Sequence, residues 1–588
     1  MDKNSTIGLV LIGAILLIYF QFFSPKPQLE TQEIAPKKEI TKPVVQSSTS
    51  NSTDSSVAQY PEKNIVLENN KIKVVLSSVG AKVKSVELKD FKDQKRNQLV
   101  LVDENSLQEK YEISVSNGLQ NLNALSYSTS SPDNVFVKDS SKVVFETLIN
   151  GQKVSQIYEL ATDSYLLKKK LDLSAVQLKN NNINYVVTDF VRRTELDPKV
   201  SKTHTTINAH TPDGIESISE TKLEKEEADY ENVDWFTMKT KFFLVGIIPQ
   251  NAVSKLKTST VADETDTTTI KVLSASTALP INGGKTQVTY YFGPNKYDVC
   301  NSVSELGVKG FEDNVYLGWP VFRSINKLII LPAFNFLEGI FSNYGLIILL
   351  LVVLVKAVLF PLSYKSYVSM AKIKVLKPEL DEIKSRVGDD MAAQQQEQMK
   401  LYQSVGVNPL SGCIPVLLQM PILLAMFNFF PNIIELRHKS FLWADDLSIY
   451  DTFMKLPFSV PFGYGDHVSM FTILMTISTL VYTWYNSQMQ SSAMSGPMQY
   501  MQYVMPIIFL FVLNSMSSGL TYYYFVSNVI TIVQQFIIRT QVDEAKVREK
   551  LDEYKLKVKD GVIKKSRFQQ RMEDTIKASE EAKKNRKK

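Results

Sequence analysis

Lys356 stands alone as a charge in an apolar run from 345 to 360. A charge at that position is costly unless it reaches an interface or lines a wet cavity. A desolvated lysine can serve as a general base, and Ser363 and Ser366 lie nearby as nucleophiles for a Ser-Lys intramembrane protease. They stand seven and ten residues away, beyond Pro361, a spacing that gives no reason for them to meet the lysine. The other polar residues in apolar surroundings are Gln419, Thr483, Asn528 and Thr531. Asn528 and Thr531 are three apart and share one helix face. If they converge with Lys356, they line a wet cavity opening inward, whose positive charge attracts an acidic segment. Four scattered histidines and two cysteines, Cys300 and Cys413, read as neither a metal site nor a disulfide framework. The chemistry is therefore that of handling polypeptides or solutes within a membrane, not of an enzyme with a cofactor.

The elements that must position these residues divide the 588-residue chain into a polar first half and an apolar second half. Residues 7–23 are apolar enough for a short membrane anchor, and no small-residue cleavage site follows them. Residues 25–60 form a disordered linker rich in Pro, Ser and Thr. From 61 to 317 the period is two. Strands are expected at 71–76, 82–88, 142–149, 153–160, 241–248, 268–274 and 286–292. Asn150-Gly151 is a two-residue hairpin turn, and 216–229 is a charged, flexible surface excursion. These features predict a large antiparallel β-sandwich. Residues 318–340 carry Trp319, Phe322, Ile325 and Phe336 beside Arg323, Asn326, Lys327 and Glu338, which predicts an amphipathic interfacial helix broken at Pro332.

Five further spans are expected at 344–360, 415–430, 468–484, 498–513 and 519–538, making six transmembrane helices with the anchor. The loop 361–409 carries seven Lys or Arg, and 539–588 carries 17 against 10 Asp or Glu. The positive-inside rule then puts the N-terminus, the loop and the tail in the cytoplasm, and the sandwich in the periplasm of a two-membrane bacterium. Within the loop, Tyr367, Met370, Ile373, Leu376, Leu380, Ile383 and Val387 step by three or four. Pro378 interrupts that helix, residues 388–390 turn, and 391–404 form a second helix. The apolar side of this hairpin faces its own partner helix, a client chain or lipid. Methionines such as Met370, Met399, Met420, Met426 and Met505 add a pliable apolar surface near the cytoplasmic side.

The core text Phe360-Pro361-Leu362, Ser369-Met370-Ala371-Lys372, Val407-Asn408-Pro409-Leu410, Gly412-Cys413, Gln419-Met420-Pro421-Ile422, Ser518-Gly519-Leu520, Tyr523-Tyr524 and Val526-Ser527-Asn528 closely resembles the YidC/Oxa/Alb family of membrane protein insertases, in the long form of two-membrane bacteria. The resemblance spans the whole architecture and is loosest in the sandwich. It implies an anchor at 1–24, a linker at 25–60, a periplasmic domain at 61–317 and an interfacial helix at 318–340. A five-helix insertase core at 341–540, with a cytoplasmic hairpin at 363–404, and a basic tail at 541–588 complete it. It implies a client-binding groove, open to lipid and cytoplasm, of Lys356, Gln419, Tyr524, Asn528 and Thr531. Lys356 stands where the family usually has arginine, which keeps the charge and loses the planar fork. The implied partners are nascent membrane proteins, the Sec translocon, the translating ribosome and membrane lipids. A monomer suffices when the protein acts alone, and no cofactor or metal is implied. A polytopic solute transporter or channel is the rival class, disfavoured because no inverted repeat is visible.

Overall fold

The structure is a computed structural model that describes residues 60–262, 266, 268–388, 390–407, 414–461, 464–487 and 497–559. The expected anchor, almost all of the linker, Cys413 and the tail beyond 559 lie outside the described residues. Contacts divide the chain at Val315 and Tyr316 into a β-rich unit and a helical unit.

The β-rich unit follows from period-two alternation. Ile72–Ser77, for example, buries Ile72, Val74 and Leu76 while Lys73 and Val75 are only half-buried. Three sheets of five, eight and six strands result, rather than a simple two-sheet sandwich. Pairing is antiparallel except between Asn64–Glu68 and Asn134–Phe136, which run parallel, a correction to the all-antiparallel expectation. The hairpin of Ser140–Ile149 and Gln152–Ala161 closes Ile149 onto Gln152, with φ of 50° at Asn150 and 78° at Gly151. Both central residues need positive φ, as a two-residue turn matched to strand twist requires. The excursion at 216–229 is less irregular than expected. Gly214–Ser217 and Glu226–Val233 are strands at its two ends, each paired into a sheet.

This unit contains a carboxyl that titrates near neutrality. Asp189, on the strand Asn182–Arg192, is buried, and burial together with the nearby Asp103 charge pushes its pKa up to about 7. Arg192 pulls the other way but is paired with Asp103 at 3.0 Å. In the unfolded chain this carboxyl ionises near 3.8. The folded state therefore holds the proton more tightly, and stability is lost as pH rises from about 4 to about 7. Asp189→Asn is expected to flatten that decline, on the order of 3 kcal/mol, in urea unfolding series at pH 4.5 and 7.5. An unchanged pH dependence would exclude Asp189 as its source.

The helical unit opens with a continuous helical run. Pro320–Ile325 passes through a π-turn at Asn326–Ile330 into Leu331–Glu338. Pro332 therefore does not break the helix. A π-turn widens the backbone where proline withholds its N–H. Trp319, Val321, Leu328, Ile329 and Phe336 are exposed. Asn326, expected on the polar face, is fully buried and donates Nδ2 to the carbonyls of Leu317 and Ala425, at 2.9 and 2.8 Å.

Eight helices follow: α1 (Tyr344–Val375), α2 (Lys377–Val387), α3 (Met391–Ser404), α4 (Ile414–Phe429), α5 (Met470–Ser487), α6 (Pro497–Leu513), α7 (Ser518–Gln541) and α8 (Glu544–Lys559). α1 runs unbroken through Pro361, where the expected span ends. Membrane helices tolerate such a proline when neighbours satisfy the freed carbonyl. Gly345 lets α1 lie against Phe441, whose ring a Cβ there would meet at 2.1 Å. Among the described residues α1 alone is long and apolar enough to cross a membrane by length and composition, while Gln419–Phe429 and Met501–Leu513 are shorter apolar helices.

α2 and α3 form the expected hairpin, but the other hairpin helix is not all that covers its apolar side. Leu376, Leu380, Tyr402, Val405 and Val407 pack with Leu551 of α8, and Val547 lies against the same cluster. Arg548 of α8 pairs with Glu379, and Gly406 approaches the Tyr554 ring so closely that a Cβ would meet it at 2.5 Å. The first part of the basic tail is thus a helix docked on the root of the hairpin.

Candidate functional site

The site is built on one face of α7. Tyr524, Ser527, Asn528, Thr531 and Gln535 recur at three- and four-residue intervals, which keeps them within one stripe at 100° per residue. α1 supplies Lys356 opposite that stripe. Lys356 is only 6 % exposed, and its ammonium donates to Thr531 Oγ1 at 2.8 Å. Thr531 in turn donates to the Ser527 carbonyl at 2.6 Å. The hydroxyl is oriented by its own helix and offers its lone pairs to the cation. The polar partner that a buried charge requires is therefore present.

The other expected residues join less directly. Gln419 of α4 points its amide at Ser527 Oγ from 3.5 Å, a separation that a water could close. Tyr524 reaches the Leu423 carbonyl at 3.4 Å, also long for a hydroxyl bond. Asn528 does not converge on Lys356. Its amide donates to Ser478 Oγ at 3.1 Å and Thr479 Oγ1 at 2.8 Å, binding α7 to α5. Sharing a face with Thr531 was therefore not enough, because the two residues sit on opposite flanks of the stripe and meet different helices. Ser363 and Ser366 lie on the same continuous helix as Lys356. They are displaced along its axis by about 10 and 15 Å, so neither hydroxyl can be deprotonated by that amine.

One turn toward the end of α7, Gln535 donates to Tyr367 Oη at 3.1 Å and to Asn486 Oδ1 at 3.0 Å. Gln535 was missed in the sequence although its position four residues after Thr531 puts it on the same face. Below it a pocket opens between the ends of α1, α5 and α7.

The opposite end of the site is closed by a polar network also missed in the sequence. Asp451 accepts from Ser469 Oγ at 2.5 Å, Trp443 Nε1 at 2.8 Å and the N–H groups of Met470 and Phe471 at 2.8 and 3.2 Å. The last two are free donors at the α5 N-terminus, where a carboxylate is favoured. Asn514 accepts from Ser469 N at 3.0 Å and donates to the carbonyls of Tyr464 and His467 at 2.8 Å each. The same loop caps α7, with Ser518 N donating to Ile449 O and Gly519 N to Leu447 O. Among the described residues, the site thus has one end filled by hydrogen-bonded loops, the sealed end, and one end where a pocket opens.

Two family models match the chain. One, described as the YidC periplasmic domain, covers residues 64–331, and the other, described as the 60Kd inner membrane protein, covers residues 336–546. A membrane protein insertase YidC from Amoebophilus asiaticus is 42 % identical over 98 % of this chain and 99 % of its own length. A second, from Cytophaga hutchinsonii, is 42 % identical over 99 % of this chain and 98 % of its own. A third, from Bacteroides fragilis, is 34 % identical over 100 % and 99 %.

Proposed function

Because the chain belongs to the YidC/Oxa/Alb family of membrane protein insertases, a multi-pass inner-membrane machinery of insertion and chaperoning, we propose that it inserts clients along the polar face of α7. Lys356 is the electrostatic attractor in this reading, and Thr531, Gln419, Asn528 and Tyr524 form the client-binding groove around it. The observation that carries the reading is the ammonium of buried Lys356, set in an apolar stretch of α1 and bonded to the Thr531 hydroxyl on the polar stripe of α7. A client's translocating tail enters the groove from its open end, held by an interior more polar than lipid. Its apolar span slides past the exposed side chains of Met420, Leu424 and Val529 and partitions into lipid. No covalent step is needed, and the membrane potential assists negative tails.

The finer architecture belongs to the same proposal. It has six transmembrane helices, with the anchor at 1–24, the linker at 25–60 and the β-rich domain at 61–317 in the periplasm. The interfacial helix at 318–340 leads into the core at 341–540, and the hairpin at 363–404 and the tail at 541–588 are cytoplasmic. Seven cations in the loop 361–409 support that orientation. Nascent membrane proteins, the Sec translocon, the translating ribosome and lipids are its partners, with a monomer sufficient for independent action. Photocrosslinkers at Gln419 and Tyr524 should capture a stalled nascent client, whereas a crosslinker at Thr211, in the β-rich domain, should not. Absence of crosslinks at both groove positions, with folded protein in the membrane, would overturn the reading.

A further inference from the structure

The pocket between the ends of α1, α5 and α7 has a composition that client passage does not account for. It is a shallow, open-sided cleft lined by residues of α1, α5, α7 and the start of α8. Lys374 and Arg539 stand on its rim, and Glu544 pairs with Lys374 at 2.5 Å, so the rim retains one net positive charge. Arg539 lies 5.6 Å from the centroid of the Tyr485 ring. Two polar atoms of the lining are buried without a hydrogen-bond partner, the Tyr485 hydroxyl and Gln535 Oε1. Gln535 is only 5 % exposed. Buried polar groups of this kind are costly when their hydrogen bonds are left unmade. The amide oxygen only accepts, and the hydroxyl can donate or accept. A ligand with an oxygen acceptor and a hydroxyl donor completes both.

Position narrows the ligand further. Lys374 lies 30 residues into α1, and Arg539 lies 21 residues into α7. At 1.5 Å per residue these are about 45 and 32 Å from helix starts on the opposite face, at or beyond the edge of a 30 Å hydrocarbon layer. Most of the exposed lining is apolar, and Trp484, Phe536 and Ile537 are exposed on the neighbouring helix surfaces. A cationic rim, a polar floor and an apolar outer wall at headgroup depth suit an amphiphile better than a soluble ion or an extended peptide.

We propose that this pocket binds the headgroup of an anionic glycerophospholipid from the cytoplasmic leaflet. The phosphate sits between Arg539, Lys374 and the Tyr485 hydroxyl, and a headgroup hydroxyl donates to Gln535 Oε1. The proposal rests on the membrane orientation given above, but not on the groove. A lipid held there would brace the ends of α1, α5 and α7 beside the open end of the groove.

The test uses purified full-length protein in a neutral detergent, with no client present. Short-chain phosphatidylglycerol, the phosphatidylcholine of equal chains, inorganic phosphate and an acidic peptide are each titrated, and binding is read by native mass spectrometry and thermal shift. Phosphatidylglycerol should bind best, and Arg539→Gln and Lys374→Gln should each weaken it about fivefold, as one surface cation does. Tyr485→Phe should weaken it without changing charge, which a purely diffuse attraction would not do. Equal binding of the two lipids, or equal binding by wild type and the charge variants, overturns the proposal. Preference for inorganic phosphate makes the pocket a free-anion site, and preference for the acidic peptide makes it part of the client path; either result also overturns it. Because no client is inserted, failure here leaves the crosslinking result untouched, and the converse holds.

Discussion

Lys356→Glu is expected to reduce insertion of clients with acidic translocated tails by more than tenfold, with the protein present at its normal level. Lys356 is 6 % exposed, and its ammonium lies 2.8 Å from Thr531 Oγ1. A unit charge about 6 Å from another, at an effective dielectric of about 20, interacts by about 3 kcal/mol, and reversing its sign doubles the change. A quarter of that difference already gives a factor of about ten. Lys356→Arg keeps the charge and a donor for Thr531 and should stay within about threefold of wild type. Lys356→Ala removes the attraction without adding repulsion, and Gln419 and Thr531 keep the groove polar. It should fall between the two. Basic-tailed clients should reverse the ranking of Glu and Arg. The measurement is insertion of matched acidic- and basic-tailed clients in cells depleted of the native protein. Equal loss with Arg and Glu for both tails would mean that the position requires lysine for its shape, and the electrostatic account would be wrong.

The Asn150-Gly151 turn could be read because one short peptide meets the whole requirement for positive φ. The contact between Lys356 and a polar residue of the last apolar segment was also readable. A charge in an apolar run must be paired, and few candidates existed. Periodicity names a face but not the neighbour that fills it. Asn528 shares the stripe of Thr531 yet bonds to α5, and Asn326 shares a surface with Arg323 and Lys327 yet is buried against α4. The docking of α8 was hidden for another reason. Its charged composition suggests a solvated tail, while its contact with the hairpin depends mainly on Val547, Leu551 and the Tyr554 ring. Pro378 sits in the first turn of α2, where the preceding helix stops as expected, but two other prolines mislead. Pro332 reads as a break and Pro361 as the end of a span, while the surroundings of each accommodate the lost N–H within a continuing helix.

Asp451→Ala is expected to have the largest effect on stability, and a different signature from any change at Lys356. The carboxylate accepts four hydrogen bonds, from one hydroxyl, one indole and two N–H groups at the start of α5. Asp451 is 3 % exposed and Ser469 1 % exposed, so little water can replace it when it is removed. Breaking a buried charge network in this way typically costs about 3–5 kcal/mol, because the remaining donors stay buried and unpaired. Asp451→Asn keeps one oxygen for the helix N-terminus but turns an NH2 toward a donor, and should cost less than alanine. Thermal unfolding in detergent, read by loss of monodisperse protein, should rank wild type above Asn and Asn above Ala. Insertion by the alanine variant should fall only in proportion to the folded protein that remains, with acidic and basic tails affected alike. Lys356→Glu should show the reverse pattern, with normal stability and a strong dependence on tail charge. If Asp451→Ala left unfolding unchanged while insertion collapsed, the network would be part of the client path, and the sealed end would have to be counted within the groove.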